Sequence, residues 1–209
     1  MFLDNIPIKR KLIGGFFCIV ILALVIAFIG YISMGDMTNK AQAMYDENLV
    51  SLDQLLNADN SFLNIRINIY KTVFAKDERK DKFEEIDAEI ENILGKLKTY
   101  RSESRSDEEL ALLDEFDSNW AVFEKKLRTV IDDMNAGREE AALEGIYSDD
   151  FATPRDTAQD ALDKLEAYNQ EQALKLKNEI IQTYQTSSII FLIIGIFALI
   201  FGLGLAILL

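Results

Sequence analysis

Between Phe83 and Tyr100 the chain reads FEEIDAEIENILGKLKTY, and its apolar residues Phe83, Ile86, Ile90, Ile93, Leu97 and Tyr100 recur at spacings of three and four. Apolar side chains at that spacing share one face of an α-helix, while the intervening Glu, Asp and Lys face water. The same rhythm continues on both sides. Downstream it reads Leu113, Phe116, Trp120, Phe123, Leu127, Val130 and Met134, with Ser106 and Glu109 placed as a capping box and Gly137 as the stop. A short amphipathic piece, Arg138 to Ile146, follows, and Thr153-Pro154 supplies an N-cap with proline at the first helical position. The next seam is Ala158, Leu162, Leu165, Tyr168, Gln172, Leu176 and Ile180.

Upstream, the seam reads Tyr45, Asn48, Leu52, Leu55, Asp59, Phe62, Arg66, Ile69 and Val73, flanked by Leu49, Leu56, Leu63 and Tyr70. Three polar side chains interrupt this otherwise apolar stripe. The breaks between segments are short and polar, at Lys76 to Lys80, Ser102 to Ser106 and Gly137 to Thr153. Four amphipathic helices with short connections predict an all-α, antiparallel four-helix bundle.

Outside the bundle, Leu12 to Gly35 and Ser187 to Leu209 contain no Asp, Glu, Lys or Arg. At a rise of about 1.5 Å per residue each crosses the roughly 30 Å hydrocarbon layer as a helix. The apolar stretch after Lys11 is longer than the about 7 to 15 residues of a secretory signal, so it reads as an uncleaved anchor although Ser33-Met34-Gly35 offers small residues for cleavage. Neither Pro nor Gly occurs from Thr38 to Phe74, or after Pro154 as far as Thr186, so both terminal helices are expected to continue into the spans. Lys9-Arg10-Lys11 places the N-terminus in the cytoplasm by the positive-inside rule. The expected order is a cytoplasmic segment 1–11, a transmembrane helix 12–35, an extracytoplasmic bundle 36–186 and a second transmembrane helix 187–209. Tyr31 and Tyr184 then fall near the outer membrane boundary, and Ala198, Gly202 and Ala206 form a small-residue stripe that would admit another helix.

Composition narrows the function. The 209 residues include no His and one Cys, Cys18, which excludes a Ser-His-Asp triad, a Cys-His pair, a His-ligated haem, an internal disulfide and a Cys-rich zinc site. No motif pairs a nucleophile with an oriented base, so the chain reads as a non-enzyme with no cofactor and no metal site. Net charge is −13, and the +2 carried by Lys9, Arg10 and Lys11 against Asp4 leaves −15 between the spans. That excess disfavours nucleic acid and anionic lipid surfaces as partners. Arg66 and Asp59 lie one heptad apart on the first bundle helix, where they form a structural ion pair or a register-setting polar layer or, with Arg66 free, offer a fork for an external carboxylate.

The layout of basic N-terminus, span, bundle and span resembles the sensor module of bacterial and archaeal methyl-accepting chemotaxis proteins. Arg66-Ile67-Asn68 and Phe151-Ala152-Thr153-Pro154 are similar to the two ligand-contacting segments of the amino-acid chemoreceptors of enteric bacteria. Trp120, and Gly137 followed by Arg138-Glu139-Glu140-Ala141-Ala142, resemble the broader four-helix-bundle sensor family. The resemblance implies ligand contacts at Arg66, Asn68, Lys71, Asp150, Phe151, Thr153 and Arg155. Lys71 stands where the family has a second arginine and Ala75 where it has a third. It further implies a homodimer joined through the first helix, and a small anionic or zwitterionic ligand or a periplasmic binding protein as the signal. The sequence stops at Ala206-Ile207-Leu208-Leu209 without the family's output module, so the chain is expected to be either part of a longer receptor, for chemotaxis, a histidine kinase or a diguanylate cyclase, or a free-standing sensor that pairs with another membrane protein. The alternative of another class is a structural or interaction bundle on a membrane anchor.

Overall fold

The structure, a computed structural model, describes residues 7–103 and 106–208. Asp4, the pair 104–105 within one of the expected polar breaks, Leu209 and the side chain of Ala206 lie outside the described residues. In chain order the elements are α1 (Ile8–Ala43), a π-helical segment (Met44–Leu49), α2 (Val50–Phe74), a 3-10 turn (Lys76–Glu78), α3 (Arg79–Glu103), α4 (Asp107–Asn135), α5 (Glu139–Tyr147) and α6 (Asp149–Leu208). No strand occurs among the described residues. The chain divides into two compact units, Tyr45–Ala173 and Met1–Met44 with Leu174–Leu209.

The first of these is the expected four-helix bundle, built by α2, α3, α4 and the opening turns of α6, with α5 lying on α4. The two downstream seams hold residue for residue: all six apolar positions of α3 and all seven of α4 are buried. The core is knitted by rings. Phe62 of α2 lies 5.6 Å from Trp120 and 5.5 Å from Phe123, Trp120 lies 5.6 Å from Phe116, and Phe123 lies 5.1 Å from Phe151 of α6. Offset and edge-on ring pairs at such spacings add to the burial of their large apolar area.

The ends of the bundle are closed by polar contacts. The capping box forms as expected, with the Glu109 amide donating to Ser106 Oγ at 3.1 Å and the Ser106 amide donating to Glu109 Oε2 at 3.1 Å. At that end Tyr100 donates to Glu109 at 2.8 Å and receives Asn169 Nδ2 at 2.7 Å, which ties α3, α4 and α6 together through buried groups. At the other end Arg79 donates to the Thr72 carbonyl at 2.7 Å and pairs with Glu139 at 3.0 Å, satisfying the C-terminus of α2. Gly137 ends α4 with φ +72°, a conformation that side chains other than glycine rarely adopt. Gly145 lets α5 approach α4, since a β-carbon there would come within 3.0 Å of Val130 Cγ2.

Two expectations are corrected. The seam of α2 is rotated: Ser51, Ala58, Ile65 and Thr72 join Leu55, Phe62 and Ile69 inside, whereas Tyr45, Leu49, Leu56 and Leu63 are exposed. Ser51, Ala58 and Thr72 carry little hydrophobic signal, yet small side chains are what a close helix contact admits. The start of α6 is also earlier than Thr153-Pro154. Ser148 is extended (φ −75°, ψ 148°), its Oγ accepts the Phe151 amide at 3.3 Å, and Asp149 and Asp150 occupy the first turn. Carboxylates there favour the helix N-terminus, and starting at Asp149 brings Phe151 onto Phe123. Pro154 is consequently inside the helix.

In the other unit, α1 and the second half of α6 are each long and apolar enough to cross a membrane, with little of their apolar windows buried. Tyr31 and Tyr184 are both exposed. Within the small-residue stripe, no atom of the described residues comes within 4 Å of a β-carbon placed on Gly202. Phe62→Ala is expected to cost about 3–5 kcal/mol in denaturant unfolding, and Ala58→Leu about 1–3 kcal/mol by overpacking. The second value tests the rotated seam, because an exposed position 58 would accept leucine at no cost.

Candidate ligand-contacting site

On α2 the expected site residues split between two edges. Asn68 is buried and Lys71 exposed, and both face Glu85 of α3. The Glu85 carboxyl is held below the ordinary carboxylate range first by its hydrogen bond from Lys82, and then by the Lys82 charge, the Asn68 amide and the Lys71 charge. Arg66 sits half-buried elsewhere, one heptad from Asp59 on the edge that meets α6. Among the described residues Arg66 has no ion pair. Asp59 instead accepts a hydrogen bond from Gln159 Nε2 of α6, so the internal Asp59–Arg66 pair is not formed.

On α6, Asp150 is exposed and paired with Lys126 at 3.0 Å, and Thr153 is exposed. Phe151 is buried, its ring packed edge-on against that of Phe123. Arg155 is only 9% exposed. Its Nε donates to Asp156 Oδ1 at 2.7 Å and its guanidinium reaches Tyr70, one turn beyond Arg66; the Asp156 hydrogen bond above all raises its pKa further. The Tyr70 ring in turn lies 6.3 Å from that of Tyr147. Fold and sequence together therefore bring Arg66 and Arg155 to the same α2–α6 seam, with Tyr70 between, and leave Asn68 and Lys71 on the other side. Tyr70 was legible only as a flanking apolar residue. Its spacing of four from Arg66 was the available signal.

The same seam is acidic further along. Asp59, Asp163 and Glu166 approach one another, and Glu166 Oε1 is buried with no hydrogen-bond partner. Burial, and then the charges of Asp59 and Asp163, push the Glu166 carboxyl above its ordinary range. The gradient from two guanidiniums to three carboxylates suits a ligand that carries its negative charge at one end. A separate cleft of about 290 Å³ lies between α4, α5 and the start of α6, and contains Asp150 and Phe151 together with Lys126, Asp133, Glu144 and Ser148. No group of three or more potential metal ligands clusters among the described residues.

Bundle, aromatic core and a polar seam between the first and last helices define a sensory helical module carried by a chain with two candidate membrane helices. A family model described as the four helix bundle sensory module for signal transduction matches residues 5–184, and the chain belongs to that family, the sensory module of chemoreceptor-type signalling proteins. No curated protein and no solved structure matches the chain significantly.

Because the Glu166 pKa is raised on folding, its ionised form opposes the fold at neutral pH, and stability is regained as pH falls through that raised pKa. Glu166→Gln is expected to raise the melting temperature at pH 7 by a few degrees. The advantage should shrink toward zero as the pH is lowered past about 4, when the wild-type carboxyl is also neutral.

Proposed function

We propose that this chain is the sensory part of a plasma-membrane receptor that detects an extracytoplasmic signal and passes it on through the second membrane helix. The observation that carries the reading is Arg66, half-buried and without an ion pair among the described residues, on the seam that also holds Tyr70 and Arg155. A partly desolvated guanidinium gains most from a carboxylate that arrives from outside, and its planar fork accepts one in bidentate fashion. The ligand is a small anionic or zwitterionic molecule, or a binding protein that presents such a group. Arg66 and Arg155 hold it, with Thr153 exposed on the first turns of α6, while Asp150 contributes from the separate cleft through its pair with Lys126. Asn68 and Lys71 contribute through the Glu85 side of α2, and Phe151 through the placing of α6 and not through its ring.

In this reading the N-terminus is cytoplasmic, 12–35 and 187–209 span the membrane, and 36–186 lie outside. Two copies associate through the π-helical segment and α2, whose shared outer face exposes Tyr45, Leu49, Leu56, Leu63, Ile67 and Phe74. Monomeric proteins rarely leave so continuous an apolar strip in water. Signalling then needs only that the ligand bind one arrangement of the helices better than another, and α6, helical from Asp149 to Leu208, carries the difference. The alternative of a purely structural bundle called for Arg66 to be consumed by Asp59, and Asp59 is bonded to Gln159.

The test is a thermal-shift screen of the full chain in lipid nanodiscs against amino acids, organic acids and other carboxylates. A ligand at a hundred times its dissociation constant adds about 2.7 kcal/mol. Arg66→Ala is expected to abolish the shift while leaving the unliganded melting temperature nearly unchanged. A shift that survives Arg66→Ala moves the site elsewhere. Leu56→Glu with Leu63→Glu is expected to convert a dimer to a monomer in sedimentation, and an unaltered mass would remove α2 from the interface.

A further inference from the structure

In the unit formed by α1 and the second half of α6, the two helices meet through a regular series of contacts. Ser187 Oγ donates to Ser33 Oγ at 2.8 Å, and Thr183 Oγ1 donates to Asp36 Oδ2 at 3.1 Å. Lys40 Nζ lies 3.0 Å from Asp36 Oδ2 and 3.4 Å from Glu179 Oε2. One turn deeper, Phe191 rests on Gly30, where a β-carbon would stand 3.5 Å from its ring. Each step of three or four residues along α1 is matched by a step of four back along α6, which is one antiparallel register held by successive turns.

Apolar helices in a bilayer have no hydrophobic drive toward each other, and one row of Leu and Ile slides along another at little cost. Polar contacts are different, because each is met at one axial position only. A displacement of one turn, about 5.4 Å, in one direction sets Asp36 opposite Glu179 and Lys40 opposite Lys175. Both are like-charge encounters. A turn in the other direction sets Ser33 against Phe191 and Lys40 against Thr183, leaving Glu179 with no cation. Specificity of this kind comes from penalising the neighbouring arrangements as well as from favouring the observed one. Lys40 holds the Asp36 carboxyl below its ordinary range, while Asp36 first and then Glu179 hold the Lys40 ammonium above its own, so the charges persist at neutral pH.

We propose that Ser33–Ser187, Asp36–Thr183 and Asp36–Lys40–Glu179 are an axial register lock between α1 and α6, set where the two helices leave the apolar segments. That a signal must work against this lock to move α6 rests on the sensor reading above. The lock itself does not.

The test uses the full chain, with Cys18→Ser as background, in lipid vesicles. Ser33→Cys with Ser187→Cys reports the observed register, and Ser33→Cys with Thr183→Cys reports a register one turn away. Disulfide formation under mild oxidation is read as loss of free thiol in the monomer band. The in-register pair is expected to close at least tenfold faster. Adding Lys40→Glu should cut that preference at least threefold, and Lys40→Glu with Glu179→Lys, which turns both encounters of the shifted register into opposite-charge pairs, should cut it further or reverse it. Asp36→Asn serves as a second, milder variant, with helicity and membrane retention checked for every protein. A preference that is absent, or that Lys40→Glu and Asp36→Asn both leave untouched, overturns the lock. Washing from the vesicles at alkaline pH tests the membrane reading independently. A chain that washes off defeats that reading, while the crosslinking ratio, repeated in detergent, still decides the lock.

Discussion

The ring contacts of Phe62, Phe116, Trp120, Phe123 and Phe151 are the constraint on which the bundle depends. They join α2, α4 and α6, three helices far apart in sequence, at centroid spacings between 5.1 and 5.6 Å. Aromatic rings resist the small axial slips that a core of leucines tolerates, because a stacked or edge-on pair loses its geometry when displaced. The position of Phe151 in this cluster explains why α6 begins at Asp149. It also fixes which face of α6 turns toward α2, and thereby brings Arg155 to Tyr70.

Charge is distributed with the same economy. The sequence carries an acidic excess, with a net charge of −13. Against that background the Arg66–Tyr70–Arg155 segment of the α2–α6 seam is the exception, and Asp59, Asp163 and Glu166 restore the acidic character further along. Partial burial makes Arg66, Asp59 and Glu166 more expensive than charges on a solvated helix face, whereas Asp163 stays exposed. The sensor reading proposed above takes this seam as the ligand site, because Arg66 has no ion pair among the described residues and Glu166 Oε1 has no hydrogen-bond partner.

The downstream helices were legible because their cores are made of large side chains at unbroken spacing. Every apolar position expected in α3 and α4 is buried, and the Ser106–Glu109 box and the Gly137 stop stand where local chemistry puts them. Helix α2 was less legible. Its inner face uses Ser51, Ala58, Asn68 and Thr72, while its leucines at 56 and 63, and Leu49 just before it, are exposed. Hydrophobicity reports burial only when the buried residue is large, and a helix with a second apolar face misleads it. The candidate site followed the same pattern: Arg66 could be singled out as a charge in a helical seam and Arg155 through the family resemblance, but their common edge, and the separation of Asn68 and Lys71 from it, could not.

The sequence by itself determined the class: helices by period, caps by local hydrogen bonding, and two uncharged stretches by the cost of burying charge in hydrocarbon. These depend on neighbours within a turn or two, or on composition. Tertiary structure alone decided the rotation of α2, the start of α6, the partner taken by Asp59 and the pairing of Ser33, Asp36 and Lys40 with Ser187, Thr183 and Glu179. Each of those joins residues a hundred or more positions apart, or sets one helix face against another, and close packing selects among registers that local sequence leaves nearly equal in energy.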